Sequence, residues 1–303
     1  MINDRLIDAG ELPLAVRDFG GDGGPMLLLH DAGGNLATMT TLARALRARH
    51  RVVTVDLRGH GRSGDGPWSF EAALGDLAAV AAQLDLDSPA VVGHSLGGML
   101  ALLWGQRHPD SPGVVSLDGN PAPTRVEQLP GVDPARARAE LVRLHATFDA
   151  VQATAGDPVP PDRLADLVER QQMMARDMGA NEKLWIEGFR RNLAHRDGQT
   201  MLRPSAEATA QLRTAMNGLD LAPVYAGIRC PVLVVLPTRV LPEQEPFAEL
   251  YAAHRRAVAD QVAAAARSAP NLRYLHLEDA SQAMVVEQPA RLAALIGDFL
   301  SGR

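Results

Sequence analysis

The chain has 303 residues, 46% of them hydrophobic, and a formal net charge of -6. That is enough apolar material for a sizeable core, and the acidic balance offers no basic face to displace counterions from nucleic-acid phosphates. No apolar run approaches a membrane span and the opening MINDRLIDAG lacks the basic and apolar regions of a secretion signal, so a cytoplasmic location is expected. The single cysteine, Cys230, cannot form an intrachain disulfide; no Cys/His cluster calls for a metal, and no cofactor is expected.

Residues 13–19, PLAVRDF, alternate as an early strand does, and GGDGG after them is a turn. Residues 25–29, PMLLL, are a short continuous apolar run suited to a buried parallel strand, which stops at His30-Asp31-Ala32-Gly33-Gly34. A helix over 38–49, a strand over 51–55, the loop DLRGHGRS and a helix over 69–84 follow. The chain then reads AVVGHSLGGML from 90 to 100. Its apolar start is a strand and its end a helix, so Gly93-His94-Ser95-Leu96-Gly97 makes the turn between them. Such a sharp turn needs small residues two before and two after the serine, and it lifts the hydroxyl above the sheet with free helix N–H groups behind it.

Residues 114–117 are a further buried strand, ending in Asp118-Gly119-Asn120. Strands and helices have alternated to this point as in a doubly wound parallel sheet. From residue 121 the pattern turns helical, with helices expected over 134–155, 161–178, 183–195 and 205–217. The sheet pattern resumes at CPVLVVL, continues through a helix over 244–267 and a strand over 272–277, and ends in a helix over 289–300. The expected fold is therefore α/β: a core formed by 1–120 and 226–303, with an all-helical cap, 121–225, inserted over the strand ends.

LLLHDAGGN, VDLRGHGRSGDGPW, VVGHSLGGM, SLDGNP and CPVLVVLP, in this order and spacing, resemble the α/β-hydrolase fold superfamily, in particular its cap-bearing ester, lactone and epoxide hydrolases. A dinucleotide-binding fold is disfavoured, because no GxGxxG follows the first strand. The resemblance implies a nucleophile, a base, an orienting acid and two backbone N–H groups as an oxyanion hole. Ser95 matches the nucleophile, and the amides of Leu96 and Ala32 match the oxyanion donors. No carboxylate stands in Pro237-Thr238-Arg239-Val240-Leu241, where such families usually carry the acid; some members place it after the strand that follows the elbow helix, so the resemblance implies Asp118 as the acid ahead of Glu243 and Glu245.

The base position departs from the pattern. The loop LEDASQAMVVEQP puts Gln282 where the family has histidine, and an amide accepts no proton near neutral pH. His94, His30 and His60 read as structural, His145 and His195 as cap residues able to descend from above, and His276 as a poor substitute. Asp31 is a second departure, since the family commonly has glycine there: facing the pocket it would be a possible acid or base, and facing away, the favoured expectation, it caps the following turn. Three readings of Gln282 stay open: an inactivated serine hydrolase, an enzyme reusing the pocket for non-hydrolytic chemistry, and a small-molecule-binding protein. The partner in each is a small, hydrophobic acyl compound. Asp31, His30, Trp68, Met173, Trp185 and Met284 are the candidate pocket residues, with Met174, Met178, Ile186, Phe189 and Met216 as further apolar cap positions.

Overall fold

The computed structural model describes residues 4–153, 155 and 157–302. In chain order its strands are β1 (Asp4–Asp8), β2 (Pro13–Asp18), β3 (Pro25–Leu29), β4 (Arg51–Val55), β5 (Ala90–His94), β6 (Val114–Leu117), β7 (Leu193–Arg196), β8 (Gln199–Leu202), β9 (Val232–Pro237) and β10 (Leu272–Leu277). The helices are α1 (Thr40–Leu46), α2 (Phe70–Gln83), α3 (Leu96–Arg107), α4 (Pro134–Ala153), α5 (Pro161–Asp177), α6 (Glu182–Arg191), α7 (Ala206–Asn217), α8 (Leu221–Gly227), α9 (Ala248–Ser268), α10 (Met284–Glu287) and α11 (Pro289–Leu300). Residue 154, within the first expected cap helix, lies outside the described residues.

Eight strands form one sheet in the order β1-β2-β4-β3-β5-β6-β9-β10. The pairs from β4 to β10 are parallel, and β1 and β2 add an antiparallel edge. The continuous apolar runs follow from burial on both faces, because alternate side chains leave a strand in opposite directions. Leu27, Val53, Val91, Val114 and Val234 point into one layer, shared with α2, α3, α8 and α9. Their neighbours Leu28, Val52, Val92, Val115 and Val235 point into the other, beneath α1, α10 and α11.

The mostly parallel sheet with flanking helices is as expected, and three local features differ. β1 was not expected: its sequence DRLID is polar, and it exists as an edge strand because Leu6 pairs with Ala15 of β2. The segment between β6 and β9 is not all-helical. The helix expected over 183–195 stops at Arg191, and β7 and β8 form a hairpin through Asp197 and Gly198, whose positive φ values of 50° and 74° suit a tight two-residue turn. The helix expected from 244 begins at Ala248, after a 3-10 turn over Pro242–Phe247 that holds Pro246.

One buried ionic network ties this segment to the sheet. Arg191, at the end of α6 and 5% exposed, donates through Nε to both oxygens of the fully buried Asp56 at 3.1 and 2.8 Å, and its Nη1 pairs with Asp4 of β1. Asp56 also accepts the Leu36 and Arg62 amides at 2.7 and 2.8 Å. Arg17 of β2 extends the network, bonding Asp4 at 2.6 Å and Glu187 of α6 at 2.7 Å. Arg191→Met leaves Asp56 charged, buried and short of its cation, which costs about 3–5 kcal/mol. Urea unfolding at unchanged slope should show that loss as a lowered midpoint, and a loss below about 1 kcal/mol would show the pair to be dispensable.

Candidate active site

Ser95 lies between β5 and α3 with φ 51° and ψ −112°, a left-handed conformation costing on the order of 1–3 kcal/mol for a residue with a Cβ. The glycines around it are dictated by contact. A Cβ on Gly93 would lie 1.9 Å from the Gly97 carbonyl oxygen, one on Gly97 2.5 Å from the Leu29 oxygen, and one on Gly98 2.8 Å from Gly119 Cα. The turn brings Ser95 out: it is partly exposed, while Gly93, His94, Leu96, Gly97 and Gly98 are buried.

The loop after β3 is held against this turn by two histidines. His30 Nδ1 donates to the Asp31 carbonyl at 2.7 Å and Nε2 accepts the Leu57 amide at 3.0 Å, which defines a neutral ring. Burial accordingly pushes the His30 pKa down to about 4, with His60 adding to the fall. His60 Nε2 lies 2.9 Å from the Ala32 carbonyl, and the Gly97 amide donates to the His30 carbonyl at 3.1 Å. Among the described residues, neither the Ala32 nor the Leu96 N–H donates a hydrogen bond, so both remain available beside Ser95.

Gln282 follows β10 in a loop pinned from below by Glu287, which accepts the Ser281 amide at 2.7 Å and its hydroxyl at 2.8 Å. Its side-chain Nε2 donates a long hydrogen bond to Ser95 Oγ, 3.5 Å away. The position expected for the base thus faces the position expected for the nucleophile. No hydrogen bond joins Gln282 to Asp118 among the described side chains, although both line one cavity of about 730 Å³. Asp118 closes β6 with φ 49°, a conformation aspartate tolerates better than most residues. Burial pushes its carboxyl up to about 7, against the pull of His94 and Arg255.

After β9, where a carboxylate is absent, Thr238 fastens the loops instead: its hydroxyl donates to the Leu277 carbonyl at 3.2 Å and accepts the Asp279 amide at 3.1 Å. Glu243 borders the same cavity as Asp118, whereas Glu245 lies in a separate surface depression.

A second cavity, of about 580 Å³, lies between α6 and the sheet and is bordered by Asp31, His94, Trp185 and Phe189. His94 therefore does more than pack in the sheet. Its Nε2 donates to the Gln282 carbonyl at 2.7 Å, and its Nδ1 lies 3.8 Å from Asp31, beyond hydrogen-bond reach. Burial disfavours its charge, but the Asp31 carboxylate outweighs that and raises its pKa above 6.5. Burial likewise disfavours the Asp31 charge, yet the facing His94 holds that carboxyl far below 3.8. Asp31 thus borders a cavity rather than facing away from one, and it also accepts the Gly33 amide at 3.3 Å, capping the next turn.

Of the other candidate pocket residues, only Trp185 borders a cavity; its indole also donates to Gln171 at 2.7 Å, linking α6 to α5. His30 lies sealed beneath the loop. Trp68 is buried in the first core layer against Phe70, and Met284 in the second, so neither reaches a cavity. Met173 is half exposed on α5, pointing away. His195 lies on β7 beside Thr200 at 3.0 Å, and neither it nor His145 borders a cavity. Four polar residues of α9 were missed: Tyr251, His254, Arg255 and Arg256 all border the cavity that holds Asp118 and Gln282. Their helix has an ordinary mixed sequence, with no motif to mark them.

A sequence model of the alpha/beta hydrolase family matches residues 26–295. The 2-(acetamidomethylene)succinate hydrolase of Mesorhizobium japonicum is 30% identical over 76% of this chain and 76% of its own. The sn-1-specific diacylglycerol lipase ABHD11 of Xenopus laevis is 35% identical, over 34% of this chain and 34% of the lipase, so the match spans about a third of that relative. In three dimensions the chain resembles the crystal structure of E-2-(acetamidomethylene)succinate hydrolase, with TM-score 0.74, 22% identity and coverage of 99% and 100%. It also resembles the thioesterase domain of the curacin biosynthetic pathway, with TM-score 0.70, 18% identity and coverage of 98% and 99%. Sheet order, the strained serine turn and the match across nearly the whole chain agree: the protein belongs to the α/β-hydrolase family.

Proposed function

We propose that this chain is built for acyl transfer from an ester, lactone or related small-molecule carbonyl compound, and that with Gln282 in place of a base it hydrolyses ordinary esters barely or not at all. In this reading Ser95 is the nucleophile, the Ala32 and Leu96 amides are the oxyanion donors, and residues 121–225 act as its lid. The names of the hydrolase and lipase relatives support hydrolytic chemistry for the family site.

The observation that carries the reading is the contact between Gln282 Nε2 and Ser95 Oγ, 3.5 Å apart. An amide N–H can only donate there, whereas attack on a carbonyl requires a group that takes the hydroxyl proton. The amide turns its nitrogen to Ser95, no hydrogen bond joins it to Asp118 among the described residues, and neither of its N–H groups can take a proton. Losing the base of such a triad costs about a millionfold in turnover, about 8 kcal/mol of barrier, while an oxyanion hole and binding retain roughly a thousandfold over water. The strained turn, its glycines and the free amides are all retained, which favours one lost function in an otherwise intact site.

A second reading, non-hydrolytic chemistry in the same pocket, is favoured by Asp118, whose raised pKa of about 7 suits a group that exchanges protons near neutrality.

Gln282→His is expected to raise hydrolysis of a panel of short-chain esters and lactones by several orders of magnitude, toward the roughly millionfold cost of a missing base. If that variant stays inert while the Gln282 protein converts another carbonyl compound, the second reading is correct. Tight binding of a small molecule without turnover in either form would identify a binding protein.

Asp118 also predicts a pH dependence. Its folded pKa of about 7 lies above the ordinary 3.8, so between these values the folded state binds the extra proton and stability falls as pH rises. The slope from this one group is at most about 1.4 kcal/mol per pH unit. Asp118→Asn should remove that slope, gaining on the parent protein steadily from pH ~4 to ~7 in urea unfolding; parallel curves would refute the assignment.

A further inference from the structure

The arginines with the most buried side chains are each matched to a carboxylate. Arg17 pairs with Asp4, Arg58 with Asp76, Arg191 with Asp56 and Arg203 with Asp65. Arg255 of α9 breaks that pattern. It is half-buried and borders the cavity that holds Asp118 and Gln282, yet its guanidinium makes no hydrogen bond and no ion pair among the described residues. Asp118 attracts it through space, but no contact within 4.0 Å joins them. Burial, followed by the charge of Arg256 and against the pull of Asp118, leaves its pKa lowered from 12.5. Shielding a guanidinium from water without an anion is unfavourable, and its planar fork of donors matches a carboxylate at two points.

We infer that Arg255 binds an anionic group of the substrate, and that the substrates are acyl compounds carrying a free carboxylate. The inference rests on the cavity bordered by Asp118 and Gln282 being the substrate site. Other cations there are less suited: Arg239 already donates to the Asp279 carbonyl at 3.4 Å, and Arg256 is exposed. Leu144, Phe148 and Leu236 border the same cavity and give the aliphatic part of such a molecule an apolar wall. A substrate of this class places its charge on the guanidinium and its chain along that wall.

The test is binding, not turnover. The half-esters of succinate, adipate and suberate are titrated calorimetrically into the Gln282 protein beside the matching diesters, which lack only the free carboxylate. At least one half-ester should bind about tenfold or more tightly than its diester, as a charge-assisted bidentate contact implies. Arg255→Gln should abolish that preference while leaving diester affinity unchanged, and Arg255→Lys should keep part of it. Circular dichroism of both variants controls for folding. Equal affinity for half-ester and diester, a preference that survives in Arg255→Gln, or no binding of either ligand would overturn the assignment. Failure of Gln282→His to gain esterase activity would leave these titrations unaffected, so the two readings fail separately.

Discussion

The crowding where β5 meets α3 is the constraint on which the candidate site depends. Gly93 and Gly97 pass so close that neither tolerates a Cβ, and that approach forces Ser95 into a left-handed conformation. Because the chain reverses within one residue, the first N–H of α3, that of Leu96, has no carbonyl to accept it among the described residues. The same approach brings the Gly97 amide to the His30 carbonyl, so the loop carrying Ala32 is held by the turn itself. The exposure of the hydroxyl and the hold on the Ala32 loop therefore follow from one steric arrangement.

Asp31 and Gln282 meet on a single side chain. His94 faces Asp31 with Nδ1 and donates through Nε2 to the Gln282 backbone carbonyl. The second contact is made by the main chain, so it does not depend on which side chain residue 282 carries. The first depends wholly on Asp31. A glycine there would leave His94 buried without a facing carboxylate, and burial alone would then lower its pKa. Asp31 and His94 thus each favour the charged form of the other beside the serine turn.

What could be read from the sequence follows the physics of each element. Central strands were legible because burial on both faces demands unbroken apolar runs, as in Met26–Leu29 and Val232–Leu236. The turn at Ser95 was legible because its glycines are required sterically. β1 was not, since an edge strand needs pairing but little burial. The β7–β8 hairpin carried a readable sign, Asp197-Gly198, which the surrounding helical pattern obscured. Trp68 and Met284 were misplaced because an apolar side chain at the right position in the chain fills a core as readily as a pocket. Arg255 was invisible for a different reason: which face of α9 meets the cavity depends on how the helix docks against the sheet, and no local pattern encodes that.

Asp118 and Arg255 share one cavity without touching, and their separation links proton binding to ligand binding. Arg255 now helps to hold the Asp118 carboxyl down against burial, and even so its pKa stands near 7. An anion on Arg255 would neutralise that help and draw a proton onto Asp118. By reciprocity, protonated Asp118 would then bind the anion more tightly than the carboxylate form does. An imidazolium at position 282 would act in the opposite sense and favour the ionised acid. Gln282 carries no charge and adds no such pull, so the neighbouring acid stays neutral enough to coexist with a charged ligand.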